Sequence, residues 1–343
     1  MLIRVRGGSN AHLKDQNFLV LFYKKERLAF TLYDSDSTPI DITQPRRTAF
    51  ANMTRTGIHP TLPAFDLQGH RGARGLFPEN SLAGFREAIR LGATSIELDI
   101  VLTADGVPVV YHDLALNPDL TRGADGKWLS PPCPALATLT AGDLAQFDIG
   151  RIRPRGRYAA RCRGQTPIDG TRIPTLHQVC ELVRDTHVWL DIEIKTDRRD
   201  PASTAALPGI VNAVLHVAEA NDVMARLAVR SFDWRVLRLL RERHATLPLA
   251  WLTSIASDAK VEAVLADVRN SGWPDWAPVW APDHRLLRRR HIRAAKAGGL
   301  RVKPWTVNAA FRMRQLARWG VDGFCTDRPD LGHLVLRGLG LLG

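Results

Sequence analysis

The sequence predicts an α/β protein, a (β/α)8 TIM barrel with a small insertion after the hairpin that extends its second strand. From Phe65 onward, short apolar runs alternate with longer stretches of helical periodicity, and eight of each can be counted. Polar residues recur at the carboxyl ends of several of these strands, where barrel enzymes place their active sites. A doubly wound open sheet is the alternative, and the polar strand ends favour the barrel over it.

The predicted elements follow one another in regular order. Apolar runs predict strands at 65–69, 94–101, 188–194, 227–232, 248–253, 277–281, 301–306 and 321–326. Apolar positions repeating at helical spacing predict helices at 81–91, 175–186, 202–220, 233–243, 258–268, 285–298, 309–319 and 331–340. Asn80 or Ser81 is the expected N-cap of the first helix.

One further strand-like run, 107–111, does not fit the alternation. It follows Leu102 after a short link that contains Asp105-Gly106, a turn signal. A parallel neighbour would need a connection of about a dozen residues or more, so we expect an antiparallel hairpin on the second strand. Residues 113–174 then show little regular pattern, which predicts an inserted segment over the mouth of the barrel.

Residues 1–60 differ from the rest of the chain and have no role that we can assign. They contain only two strand-like stretches, around 18–23 and 28–33. We expect an N-terminal extension here that need not be ordered, followed by the barrel domain at 64–340. All residues with candidate chemistry follow Met53, which makes Met53 a candidate alternative start.

Composition limits the possible partners. Hydrophobic residues make up 45% and charged residues 24%, as in ordinary globular proteins, while the net charge is +12. The charge suggests nucleic acid or anionic lipid as a partner, but the sequence has no RNP motif, zinc-finger spacing or lysine tract. Arginines are densest at 151–163. We therefore expect no specific nucleic-acid partner and a basic surface that attracts anionic small molecules.

Other features bear on the compartment. The four cysteines form no C-x-x-C pair, which argues against a zinc knuckle, a redox motif or a disulfide framework. The N-terminal apolar run at 18–23 is too short for a signal peptide or a membrane span. The expectation is a cytoplasmic protein without stable membrane insertion. The sequence gives no signal for an oligomeric state.

Three carboxylates predict a site for a hard cation. Glu97 and Asp99 are two positions apart in a strand, so their side chains point to one face. Glu193 lies late in another strand. Ionised carboxylates converging in a barrel interior would need a cation, and ligands that are all oxygen suit Mg²⁺ or Ca²⁺ better than zinc. One divalent cation is therefore expected.

Two histidines and two basic residues accompany these carboxylates. His70 closes the first strand and His112 closes the hairpin, so both should overhang the same mouth. Imidazole titrates near neutral pH and can act as a general acid or a general base. Arg71 and Lys195 add positive charge for phosphoryl oxygens. Such a set is suited to cleaving a phosphate diester.

The ordered motifs resemble the glycerophosphodiester phosphodiesterase family. The matching runs are QGHRGARG at 68–75, PEN at 78–80, IELD at 96–99, TADGVPVVYHD at 103–113, IEIK at 192–195, WTVN at 305–308 and TDRP at 326–329. The resemblance covers about 64–335 and implies metal-dependent hydrolysis of glycerophosphodiesters to an alcohol and glycerol 3-phosphate.

The resemblance also implies roles for individual residues. It places the general acid and base on His70 and His112, without saying which is which. It places the metal ligands on Glu97, Asp99 and Glu193, and the phosphate contacts on Arg71 and Lys195. Trp305, at the end of the seventh strand, is either core or part of the substrate pocket, and we take the pocket as the expectation.

Two other functions stay open. A lysophospholipase D-like phosphodiesterase acting on lipids would use the same barrel, and the basic segment at 151–163 together with Trp128 is compatible with it. A non-catalytic protein that binds anions or nucleic acid is the more distant alternative. This alternative would require that a metal ligand or a catalytic histidine be replaced, and the sequence keeps all of them.

Overall fold

The computed structural model describes residues 18–24, 27–33, 39–40, 62–255, 261–270 and 278–342. The chain divides into two units, Met1–His59 and Pro60–Gly343. The first contains a three-stranded antiparallel sheet in the order β1-β2-β3, formed by Phe18–Lys24, Arg27–Tyr33 and Pro39–Ile40. The first two strands lie at the predicted strand-like runs, and Met53 lies outside the described residues.

The second unit is a nearly closed barrel of eight parallel strands, which confirms the predicted fold. Its strands run in the order β11-β10-β9-β8-β7-β5-β4-β12, and β6 is added antiparallel to β5. The gap between β11 and β12 is bridged by backbone hydrogen bonds, including one of 2.9 Å from the Asp322 amide to the Val302 carbonyl. The strands are β4 Asp66–Gly69, β5 Ser95–Leu102, β6 Pro108–Val110, β7 Trp189–Ile194, β8 Leu227–Ser231, β9 Leu249–Thr253, β10 Val279–Pro282, β11 Arg301–Val302 and β12 Gly323–Thr326.

Helices connect the strands close to the predicted positions. Ser81 caps the first one, because its hydroxyl accepts a hydrogen bond from the Gly84 amide. The helix predicted at 202–220 is divided in two, with Pro208 in the first turn of the second part, where a missing amide hydrogen is tolerated. The helices are α1 Leu82–Arg90, α2 Ala141–Leu144, α3 Arg157–Arg161, α4 Leu176–Val183, α5 Pro201–Ala205, α6 Leu207–Ala220, α7 Trp234–Arg243, α8 Val261–Asn270, α9 Arg289–Ala297, α10 Ala310–Arg318 and α11 Pro329–Arg337.

Strand β5 shows how the fold positions polar side chains. Ile96, Leu98 and Ile100 belong to the main apolar core, and each is fully buried. Because side chains alternate along a strand, Glu97 and Asp99 point to the opposite face, into the barrel. Both carboxylates are therefore as buried as the apolar residues beside them.

The barrel interior contains a buried ionic network below the carboxylates. Arg230 donates to the Asp191 carboxylate at 2.8 Å and to the Gln68 amide oxygen at 2.6 Å. Lys303 contacts Asp66 at 2.5 Å. Each buried charge in this network has a partner of opposite sign, as buried charges require.

The insertion after the hairpin forms a small core of its own. Val101, Tyr111, Leu116, Leu136 and Phe147 pack together there. It is joined to the loop after β4 by a backbone hydrogen bond of 2.7 Å, from the Thr166 amide to the Leu76 carbonyl. The insertion therefore lies against the loop that carries His70 and Arg71.

Candidate active site

The three predicted cation ligands lie together. One carboxylate oxygen each from Glu97, Asp99 and Glu193 lies within 4.8 Å of the others, and all three residues are buried. Asp99 and Glu193 are direct partners in the register of β5 and β7. Strand pairing therefore brings together residues that are distant in sequence, and the carboxylates are close enough to share one ion.

Two predicted basic residues border this cluster. The Lys195 ammonium lies 2.9 Å from Asp99 Oδ1 and 2.5 Å from Glu193 Oε1. The Arg71 guanidinium contacts Asp99 Oδ2 at 3.1 Å through Nε, and the Arg71 amide donates to Glu97 Oε2 at 2.9 Å. Three carboxylates thus face two side-chain cations, which leaves an excess of negative charge.

The pKa values reflect this charge balance. Burial and the charges of Asp99 and Glu193 together raise the pKa of Glu97 to about 8, against the opposing charges of Arg230 and Arg71. Burial also acts to raise the pKa of Asp99, but Lys195 and Arg71 more than offset it and the result is a lowered pKa. The positive charges around the cluster therefore compensate Glu97 less than they compensate Asp99. The all-oxygen donor set fits a hard divalent ion.

Arg71 is held in place by an unusual loop backbone. Arg71 itself has φ +50°, and Gly72 follows at φ +84°. A Cβ on Gly69 would lie 2.6 Å from the Gly72 carbonyl oxygen, so this tight turn requires glycine there. Asn80, also at φ +50°, fixes the turn with two hydrogen bonds. Its backbone N–H donates to the Arg71 carbonyl, and its side-chain Nδ2 donates to Asp99 Oδ2 at 2.9 Å.

His70 is oriented by a residue from the other end of the chain. Its Nδ1 lies 2.5 Å from Asp327 Oδ1, and Asn308 donates to Asp327 Oδ2 at 2.7 Å. Burial lowers the pKa of His70 to about 4, despite the opposing effect of Asp327. With Nδ1 engaged, Nε2 is the nitrogen that His70 can present to a ligand.

His112 lies at the more open side of the site. Its Nδ1 contacts Asp113 Oδ1 at 2.6 Å, and Asn117 in turn donates to Asp113 Oδ2 at 2.7 Å. It lines a cleft together with Glu79 and Asn80. Since Asn80 also holds Asp99, this cleft leads to the carboxylate cluster.

Glu79, Arg74 and Tyr158 form a buried group behind Arg71. The Glu79 carboxylate accepts hydrogen bonds from Arg71 at 2.7 Å and from the Tyr158 hydroxyl, and lies 2.8 Å from Arg74 Nε. The Arg74 guanidinium stacks on the Tyr158 ring at 5.1 Å. Tyr158 belongs to α3, so a side chain of the insertion reaches the residue predicted to bind phosphate.

Trp305 follows β11 at the rim of the barrel. Its indole donates to the Ala281 carbonyl at 2.9 Å, and its ring packs edge-on against Phe232 with centroids 5.5 Å apart. Trp305 is partly exposed at this rim.

Several site residues were missed in the sequence analysis. Asp327 pairs with His70, although the sequence analysis gave it no role in the site, and the N-cap position of α11 is Arg328. Asn80 was considered as a cap of α1, whereas Ser81 fills that role. Only the QGHRGARG, PEN and TDRP motifs hinted at Arg74, Glu79 and Asp327, and nothing about Tyr158 pointed to the site.

Comparisons with known proteins identify the family of this chain. Residues 70–331 match the model of the glycerophosphoryl diester phosphodiesterase family. A glycerophosphodiester phosphodiesterase of Caldanaerobacter subterraneus is 29% identical over 270 residues, which cover 78% of this chain and 97% of that protein.

Solved structures show the same barrel. A crystal structure described as a glycerophosphoryl diester phosphodiesterase of Silicibacter pomeroyi is 31% identical, has a TM-score of 0.76, and covers 82% of this chain and 96% of its own. A phosphodiesterase of Oleispira antarctica, solved with the product sn-glycerol-3-phosphate, is 20% identical and has a TM-score of 0.62. The match covers 79% of this chain and 96% of that protein's chain. No helix within the described parts of the chain is long and apolar enough to cross a membrane.

Proposed function

Because this chain belongs to the glycerophosphoryl diester phosphodiesterase family, we propose that it hydrolyses glycerophosphodiesters to an alcohol and sn-glycerol 3-phosphate with one divalent cation and two histidines. The observation that carries the proposal is the buried cluster of Glu97, Asp99 and Glu193. The product bound by the Oleispira antarctica phosphodiesterase supports the choice of product.

Glu97, Asp99 and Glu193 would hold the cation, either Mg²⁺ or Ca²⁺. When bound, such an ion neutralises charge that develops on the phosphoryl oxygens and lowers the pKa of a nearby hydroxyl group. The cluster has more carboxylates than side-chain cations, which helps to raise the pKa of Glu97, and this imbalance is the feature of the chain that supports a cation there.

Arg71, Lys195 and Trp305 would bind the substrate. The described contacts of the Arg71 guanidinium engage Nε and one terminal nitrogen, and the other terminal nitrogen is assigned to the phosphate. The Lys195 ammonium lies at the edge of the cluster and supplies a second positive charge for the same oxygens. Trp305 is assigned to the wall of the pocket.

The two histidines would move the protons. A buried His70 with a pKa of about 4 is neutral at neutral pH, so its Nε2 is suited to accept a proton from the attacking hydroxyl group. His112, at the open side of the site, would then deliver a proton to the departing alcohol. Asp327 and Asp113 keep the two rings oriented through Nδ1.

Product analysis tests this function. The purified protein with Mg²⁺ or Ca²⁺ should release glycerol 3-phosphate from glycerophosphocholine, and H70A and H112A should each reduce turnover by about two to four orders of magnitude. H177A, which removes an exposed histidine of α4, is the matched control and should retain full activity.

Two outcomes would contradict the proposal. Near-normal turnover in H112A would remove this histidine from the mechanism. Release of choline from lysophosphatidylcholine micelles, without hydrolysis of glycerophosphocholine, would instead assign the chain to the lysophospholipase D-like activity.

A further inference from the structure

The segment 151–163 carries a concentration of unpaired positive charge. It contains six arginines, and no acidic residue follows until Asp169. Arg151 is neutralised by Asp169, with contacts of 2.9 and 2.7 Å. Four others are exposed and make no ion pair with any described residue, namely Arg153, Arg155, Arg161 and Arg163. We refer to these four as the arginine rim.

The arginine rim lies at the entrance of the active site. Tyr158, in the middle of the segment, reaches Glu79 and lies 3.3 Å from an Arg71 nitrogen. Ile152, next to Arg153, lines the cleft that contains His112. The segment that carries the arginine rim is therefore held beside the mouth by Tyr158 and Ile152.

Exposed apolar side chains lie on the same face of the barrel. Large exposed hydrophobic residues include Leu114, Ile255 and Phe311, the last with 73% of its surface accessible. Leu114 follows His112-Asp113, Ile255 follows the end of β9, and Phe311 is in the first turn of α10. Ile255 and Phe311 follow parallel strands and so belong to the face at the carboxyl ends of the strands. Leu114 is two residues from His112, which lines the cleft at this face.

We propose that this face docks on an anionic lipid surface, with the arginine rim contacting the headgroups and Leu114 and Phe311 entering the interface. None of the four rim arginines is buried, so they do not form a pocket for one small anion. Basic residues combined with exposed apolar side chains are typical of proteins that bind at a bilayer surface. Docking in this orientation would turn the mouth toward phosphodiesters at the lipid boundary.

Vesicle binding of the full-length protein, measured by co-sedimentation without substrate, tests the proposal separately from catalysis. The protein should bind vesicles of phosphatidylglycerol and phosphatidylcholine in equal parts, bind pure phosphatidylcholine weakly, and be released by salt. The triple variant R153Q/R155Q/R161Q should weaken binding on the order of 100-fold, and F311S by about tenfold.

A charge-matched variant provides the control. R269Q/R318Q/R337Q removes three exposed arginines from the C-terminal ends of α8, α10 and α11, on the opposite face of the barrel. It should bind vesicles like the unmodified protein, and both triple variants should hydrolyse glycerophosphocholine normally.

Three results would overturn the proposal. The first is that the protein does not bind anionic vesicles. The second is that the two triple variants lose vesicle binding equally. The third is that the protein binds an RNA oligonucleotide in preference to the vesicles. The last result would point to nucleic acid as the partner of the arginine rim.

Discussion

Asp327 determines which nitrogen of His70 is left free for the proposed reaction. The carboxylate holds Nδ1 and is itself held by Asn308, so the ring has one orientation. The D327N variant should therefore lower kcat by about 100-fold while the protein stays folded, because an amide can stabilise the wrong tautomer.

The control for this prediction lies three residues further along the chain, in α11. D330N removes a carboxylate of α11 that pairs with Arg328 at the surface, and it should leave kcat unchanged. Equal kcat values in D327N and the unmodified protein would show that Asp327 does not position the base.

His70 should also make stability depend on pH. Its pKa falls from 6.5 to about 4 on folding, so the unfolded chain binds more protons between these values. Stability attributable to His70 is thus present above pH 6.5 and lost as the pH falls toward 4, by up to about 3 kcal/mol. Urea unfolding at several pH values should show a shallower loss for H70Q. H177Q should keep the original slope, and identical slopes for H70Q and the unmodified protein would refute the assignment.

At the scale of elements, α3 of the insertion contacts the loop that carries Arg71, the proposed phosphate ligand. The Tyr158 hydroxyl and Arg71 share Glu79 as an acceptor, so the insertion and the barrel hold the same arginine. In Y158F, Glu79 loses one donor and Arg71 becomes less well positioned. KM should rise by about five- to tenfold with little change in kcat.

Y111F is the matched control for this prediction. It removes a buried hydroxyl that contacts Thr121 and the Asn117 amide within the insertion. Y111F should lower thermal stability without changing KM. A fall in kcat for Y158F at constant KM would contradict a role in substrate binding.

The elements differ in how well the sequence predicts them. The hairpin strand β6 was predicted because Asp105-Gly106 is a local turn signal. The link from β5 is also too short for anything but an antiparallel neighbour. The helices α2 and α3 were not, because each is only about one turn long and shows no apolar period. Their position depends on contacts with other segments, such as the Ala141 amide with Asp105 for α2 and the Tyr158 hydroxyl with Glu79 for α3.

At the scale of the whole molecule, the barrel interior is ionic where many barrels are apolar. Arg230 is buried and is paired with Asp191 and Gln68. Replacing it in R230M leaves a buried carboxylate without its partner and should lower the free energy of unfolding by about 3 to 5 kcal/mol. R90M, which removes an exposed arginine from α1, should have no measurable effect, and a similarly small effect of R230M in urea unfolding would contradict the pairing.

Barrel closure also explains which site residues the sequence could reveal. Glu97, Asp99 and Glu193 were predicted because alternation within a strand fixes their face and because the motifs are ordered. The pairing of His70 with Asp327 could not be predicted, since 257 residues separate them and only the contact of β12 with β4 brings them together. The contribution of Tyr158 depends on how the insertion folds back, which no local pattern encodes.

The central claim is that three buried carboxylates bind the cation on which hydrolysis depends. Glycerol 3-phosphate release should be measured while Mg²⁺ or Ca²⁺ is added back to chelator-treated protein, and compared with E97Q. Because Glu97 carries a raised pKa, E97Q should fold as stably as the unmodified protein without metal. We expect turnover to rise and saturate with added ion in the unmodified protein, and to stay near background in E97Q. Full turnover in excess chelator, or a normal metal response in E97Q, would contradict the account.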